Sequence, residues 1–280
     1  MKFPSTKADY LEPFLFGQPV LGLAKHRLPN CRLLLVKKIM GKRKFPLVVG
    51  QIYHIYNRGT AKCTICAMEA DHWRFMQGLV LFNDMRTVAN ILWRLERDRG
   101  RLTMNVLKEY IVMEKRIPLV RIMAYCVTNN HYHLLVEEIQ EGGITKFMHK
   151  LGGGYTKYFN NKHNRVGGLM QDKFKNILVN NEKYLLYLLV YINVLNPADI
   201  IEPGWRTEGI KDIKKVLAFA EKYKFSSHLD YLGKRGSLIL DKGILSKLLP
   251  TPKTYLDLVE VVLKDKKYID IEHLTFEKFK

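Results

Sequence analysis

Two histidines one residue apart, His131-Tyr132-His133, are the sharpest chemical feature of the chain. They open the run 131–137, whose continuation through Leu134, Leu135 and Val136 reads as a β-strand entering a core. Side chains at i and i+2 of a strand project from one face, so the two imidazoles stand side by side, spaced to chelate one divalent cation. Neutral imidazole is a good ligand for several such metals. Two imidazoles are too few by themselves, and a third protein ligand or a substrate oxygen must complete the set. A metal-free pair of surface or core-edge histidines satisfies the same pattern.

The second candidate is a phenol. Tyr184, Tyr187 and Tyr191 recur at i, i+3 and i+7 within 182–195, so they share one face of a predicted helix that Asn196-Pro197 should stop. A phenol with an ordinary pKa of about 10 is a poor nucleophile unless a cation lowers the barrier. A metal held by His131 and His133 could supply that cation to Tyr191. An ordinary core tyrosine on an amphipathic helix fits the pattern as well. Cys63-Thr-Ile-Cys66 has the spacing of half a zinc site, but Cys31 and Cys126 are far away in sequence and no second pair exists.

These groups need a scaffold. Residues 51–57 are rich in β-formers and stop at Arg58-Gly59; 118–127 reads as a buried strand, with a turn at Asn129-Asn130 before the His131 strand; 173–179 reads as a fourth. Helices are predicted over 69–82, 86–97, 143–160 and 182–195. The third holds despite Gly152-Gly153-Gly154, each costing roughly 1 kcal/mol relative to Ala. Strands and helices mix without a βαβ repeat, so the expected fold is α+β, a central antiparallel sheet with helices packed on one or both faces. Three regions are expected: a basic N-terminal extension over 1–45, a catalytic domain over 46–200 and a helical C-terminal tail over 201–280. Met40 could be an internal or a true start.

The chain has 280 residues, 46 Lys plus Arg against 27 Asp plus Glu, and a net charge of +19. Four cysteines exclude a disulfide scaffold, and no apolar run approaches the ~20 residues that span a bilayer. A soluble, cytoplasmic protein with a polyanionic partner and no membrane association is expected. Ten basic residues against Asp9 and Glu12 give the first fifty a net +8, and 143–183 carries eight against Asp172 and Glu182. The second patch interleaves Tyr155, Tyr158, Phe159 and Phe174 with its cations, which suits single-stranded nucleic acid; a solvated basic face with inward aromatics is the alternative.

In order along the chain, several segments resemble the single-tyrosine HUH transposases (the IS200-like group), and most closely the REP-associated tyrosine transposases. They are Tyr53-His-Ile-Tyr-Asn-Arg-Gly59, Asp71-His-Trp-Arg-Phe75, Ala124-Tyr-Cys-Val-Thr-Asn-Asn-His-Tyr-His-Leu-Leu-Val136, Tyr155-Thr-Lys-Tyr-Phe-Asn160, Gly168-Leu-Met-Gln-Asp-Lys-Phe-Lys175, Tyr191-Ile, Leu195-Asn-Pro197 and Phe225-Ser-Ser-His-Leu-Asp-Tyr-Leu-Gly233. Each is weak alone; the ordered set is specific. The resemblance implies an HUH, ferredoxin-like or RRM-like core. It implies Mg²⁺ or Mn²⁺ on His131 and His133, Tyr191 as nucleophile, and cleavage and rejoining of single-stranded DNA beside hairpins through a 5′-phosphotyrosine. It also implies hairpin DNA as partner, bound by a monomer or homodimer. Asn57, Arg58, Lys173 and Lys175 are the expected DNA contacts. The family places its third ligand, Gln or Asn, four residues after the tyrosine. Here Leu195 holds that position and Asn196 follows at five. At about 100° per residue Asn196 would leave the tyrosine's face unless the helix widens by one residue. Asn193 is the substitute ligand and Tyr187 the rival nucleophile. A relaxase or replication initiator, and a nucleic-acid binder that has lost catalysis, are the competing functions.

Overall fold

A computed structural model describes residues 47–86, 91–100, 102–113 and 115–264. The expected N-terminal extension, the question of Met40 and the last sixteen residues lie outside them.

Four strands form one antiparallel sheet: β1 (Ile52–Arg58), β2 (Val120–Val127), β3 (His131–Glu138) and β4 (Lys175–Leu178), in the order β2-β3-β1-β4. Pleating sorts their side chains into two cores. Tyr53 and Ile55 of β1, with Tyr132, Leu134 and Val136 of β3, face helices α1 (Glu69–Leu81) and α4 (Gly143–Lys162). Leu135 of β3 and Cys126 of β2 face α5 (Glu182–Val190) and the chain beyond it. A register shift between Ile122 and Ala124 puts Met123 and Ala124 both on the second side. The expected α+β sheet is therefore covered on both faces. The sequence reading assigns no element to 98–117, where α2 (Ile91–Arg99) ends and α3 (Met104–Met113) lies. The apolar stripe of α3 is only two turns long.

α1 and α4 approach closely because both carry glycine at the contact. A Cβ on Gly154 would sit 2.4 Å from the Phe82 ring, and one on Gly78 would sit 2.9 Å from Leu151. Gly152 and Gly153 face open space. The N-terminus of α1 is capped by Asp71, whose Oδ2 accepts from the backbone N–H groups of Ala67 and Met68 at 3.0 Å. The same carboxylate takes Lys162 at 2.6 Å and Tyr158 at 2.9 Å from α4, so one buried group ties the two helices together.

The helix that begins with α5 does not stop at Asn196-Pro197. It passes through a π-helical turn, Tyr191–Leu195, and then a last helical turn, Asn196–Ala198, where Pro197 sits at the start and needs no N–H partner. Residues 201–264 then wrap the second face and bury Trp205, Val216, Tyr231, Tyr255 and Val259. Their backbone also covers the free edge of β2: the N–H groups of Ser227 and Asp241 donate to Tyr125 and Ile122, and that of Val127 donates to Phe225, all at 2.9 Å. No helix among the described residues is long and apolar enough to cross a membrane.

Gly152→Ala should raise the unfolding free energy by about 0.5–1 kcal/mol, because the helix gains propensity and nothing is struck, while Gly154→Ala should lower it. Urea titrations of the two variants would show shifts of opposite sign. Burial alone would raise the Asp71 carboxyl, but Lys162, Tyr158 and the Met68 N–H more than offset it and hold it below the usual carboxylate range. The unfolded chain takes up this proton near pH 4 and the folded one resists to lower pH. The stabilisation is therefore complete above about pH 4 and is lost as pH falls through the folded value. Urea midpoints of wild type and Asp71→Asn should differ at pH 7 and draw together as the pH falls below about 4.

Candidate active site

β3 begins with His131, and its pleat sends His131 and His133 to the second face, where they meet the end of α5. Their rings lie edge to face with centroids 5.2 Å apart. The Nδ1 of His131 lies 2.7 Å from Asn130 Oδ1 and 2.9 Å from Thr128 Oγ1, whose hydroxyl donates to the His131 carbonyl. An amide oxygen only accepts, so the His131 proton belongs on Nδ1 and Nε2 keeps its lone pair. That Nε2 faces Asn196 Oδ1 at 3.2 Å. Two acceptors thus point at each other, while the Asn196 amide nitrogen is buried without a partner. A cation held by both acceptors would resolve the conflict, as would a half-turn of the Asn196 amide that brings its N–H to Nε2.

Asn196 reaches this place through the π turn, in which its N–H donates to the Tyr191 carbonyl, five residues back. Leu195, at the position expected for the ligand, is wholly buried in the second core. Asn193 does no ligand work: its amide donates to Tyr255 and its carbonyl accepts from Ser227 Oγ, at 3.1 and 2.6 Å. Among the described residues no cluster of three or more His, Cys, Asp or Glu side chains could hold a metal. The side chains here that could hold an ion are two imidazoles and one amide oxygen, a mixed nitrogen–oxygen set of the kind that suits a hard or borderline divalent ion.

Burial keeps the imidazoles neutral. It pulls His131 down to about 4, with Asp199 opposing, and it pulls His133 far below the ordinary value, helped by the neighbouring histidines. His54, from β1, is pulled to about 3 by burial, and its Nε2 lies 2.8 Å from His133 Nδ1. Sequence reasoning passes over His54, because only the pairing of β1 with β3 brings it there.

The Tyr191 ring stands edge-on to His133, centroids 5.4 Å apart. Its hydroxyl is directed toward a cation rather than hydrocarbon: Arg206 Nη2 lies 3.4 Å away and is ion-paired with Asp199. Tyr191 is 1% exposed. A cleft of about 500 Å³ is lined by residues that include Tyr56, Arg58, Lys62, His131, His133 and Asp199, and Tyr191 is not among its wall residues. Tyr187 is buried and stacks against Tyr191, centroids 6.4 Å apart. Asp199 and Arg206 carry no signal in the sequence that links them to Tyr191.

Of the expected DNA contacts, Arg58 lines the cleft, and Lys173 and Lys175 are exposed. Lys175 pairs in register with Tyr56. Asn57 lines the cleft as well, its amide donating to the Asp172 carbonyl at 2.8 Å and its carbonyl accepting from the Arg58 N–H at 2.9 Å. It braces the loop that carries Lys173. Tyr155 is buried, with its hydroxyl on the Ile65 carbonyl at 2.6 Å, so it packs and offers no stacking face. Cys66 lies against the Tyr155 hydroxyl, and Cys126 against Asn196, so the two sit in separate cores and share no metal.

Among solved structures, one chain described as "Structure of the REP associates tyrosine transposase bound to a REP hairpin" is similar over 72% of this chain and 94% of its own, at 13% identity and a TM-score of 0.40. No curated protein matches. Residues 89–193, the stretch that holds both imidazoles and the phenol, match the family described as "Transposase IS200 like", the group that the ordered motifs resemble.

Proposed function

We propose that the protein is a metal-dependent transesterase acting on single-stranded DNA next to hairpins, with Tyr191 as nucleophile. The observation that carries this reading is the meeting of the Asn196 carbonyl oxygen with the unprotonated Nε2 of His131, one helical turn from the phenol. Mg²⁺ or Mn²⁺ held by His131, His133 and Asn196 would act there as Lewis acid on the scissile phosphate. Asn130 keeps the His131 proton on Nδ1, and the helix end holds the Asn196 oxygen in line with it. Arg206 sits where it can stabilise the phenolate as the Tyr191 proton leaves. The phenolate oxygen bonds to phosphorus, the bond to the 3′-oxygen breaks, and that oxygen takes up a proton as the 3′-OH. The phosphotyrosine retains the bond energy, so a new 3′-OH can reverse the step and join strands without a nucleotide cofactor. Arg58, Lys62, Lys173 and Lys175 would neutralise phosphates along the cleft.

Since Tyr191 is buried, the phenol must turn toward the cleft, or the segment bearing Arg206 must shift, before attack. The same burial favours a second reading, a DNA-binding protein that does not cut. A hairpin oligonucleotide with a flanking single strand separates the two. With Mn²⁺, wild type should form a covalent adduct that survives denaturing electrophoresis; Tyr191→Phe should form none while its gel shift stays unchanged, and Tyr187→Phe should still form it. A gel shift without any adduct from wild type would support the binder. Asn196→Ala should weaken Mn²⁺ binding by about 10–100-fold, measured by calorimetry on the protein without DNA, the range expected when a ligand or its support is lost. Unchanged affinity would remove Asn196 from the ligand set.

A further inference from the structure

The cleft-side nitrogens do not explain His54. It lies on β1 wholly buried, its Nδ1 has no partner, and its Nε2 lies 2.8 Å from His133 Nδ1 with the two rings stacked, centroids 5.0 Å apart. An aliphatic or aromatic side chain would fill that volume with no polar atom of its own to strand, so a histidine with one orphaned nitrogen is costly unless its other nitrogen has a task. One proton lies between the two facing nitrogens, since two bare or two protonated nitrogens would repel at that distance.

The proton's position decides what His133 can do. If His54 donates, His133 carries its own proton on Nε2 and offers a cation nothing. If His133 donates from Nδ1, its Nε2 has a lone pair, and His54 holds its proton on the orphaned Nδ1. We propose that His54 is a positioning residue for the cation site: it accepts the Nδ1 proton of His133 and so makes Nε2 the ligating atom. His54 then does for His133 what Asn130 does for His131. Each imidazole is oriented from behind by a hydrogen bond on the nitrogen that does not ligate, an arrangement familiar from carboxylate- and carbonyl-backed metal histidines. This inference rests on the cation site proposed above.

The test uses the full chain without DNA and Mn²⁺ as probe, titrated by electron paramagnetic resonance. His54→Phe fills the space and cannot accept; His54→Gln presents a carbonyl oxygen to the same proton. The Phe variant should bind Mn²⁺ about 10–100-fold more weakly, the loss typical of a missing supporting partner, and the Gln variant should stay near wild type. Melting curves in EDTA check that both fold. If the Phe variant keeps full affinity, or both lose it equally, His54 is only packing. Should the Phe variant not fold, ¹⁵N spectra of histidine-labelled wild type with Mg²⁺ decide: a proton on Nδ1 of His133 is expected, and one on Nε2 overturns the proposal. Wild type that binds no Mn²⁺ removes the cation site and this inference together, whereas wild-type binding with an undiminished Phe variant removes the inference alone.

Discussion

One extra residue in one helical turn governs the candidate site. In an unbroken α-helix Asn196 would point about 140° away from Tyr191, following the ~100° step per residue. The π turn at Tyr191–Leu195 absorbs the surplus and sets the Asn196 amide against His131. Tertiary contacts hold the turn in place. Asn193, inside it, is gripped by Ser227 and Tyr255, residues 34 and 62 positions away, and Pro197 removes the donor that would rebuild an α rung. π turns cost backbone hydrogen-bond geometry and tend to occur where a side chain must be re-aimed.

The second constraint is burial. Packing the sheet between two helical layers leaves His54, His133, Tyr191 and Asn196 almost without solvent contact. That environment makes the imidazoles neutral and therefore able to ligate, and it makes any unpaired polar atom expensive. Each polar group there is answered by another: Asn130 by His131, His133 by His54, Arg206 by Asp199. Two atoms without such an answer, the Asn196 amide nitrogen and His54 Nδ1, belong to side chains that touch the histidines proposed as ligands. The same burial encloses the phenol, so ligand competence and nucleophile access come from one packing arrangement and pull in opposite directions.

The first face of the sheet works differently. There the architecture is ordinary close packing, with glycines at the α1–α4 contact and Asp71 bridging the two helices. It contributes rigidity to β1 and β3, whose far sides carry the histidines. Residues 201–264 contribute from the other direction, covering the edge of β2 and supplying Arg206, Ser227 and Tyr255 to the site's surroundings.

Local pattern was enough for the alternating strand that pairs His131 with His133, for the helix carrying Tyr191, and for the basic balance of the chain, because strand and helix periods are set by backbone geometry within a few residues. The ordered motifs named the family group that residues 89–193 match. The sequence also posed the question of whether the helix widens by one residue before Asn196, without being able to answer it. The answer needed Ser227, Tyr255 and Pro197 acting together on one turn. His54, Asp199 and Arg206 were invisible for a related reason: strand register and the return of the chain across the second face bring them to the site, and neither leaves a trace in local spacing. Residue type and period decide which face a side chain takes; only the packed chain decides which atoms then meet.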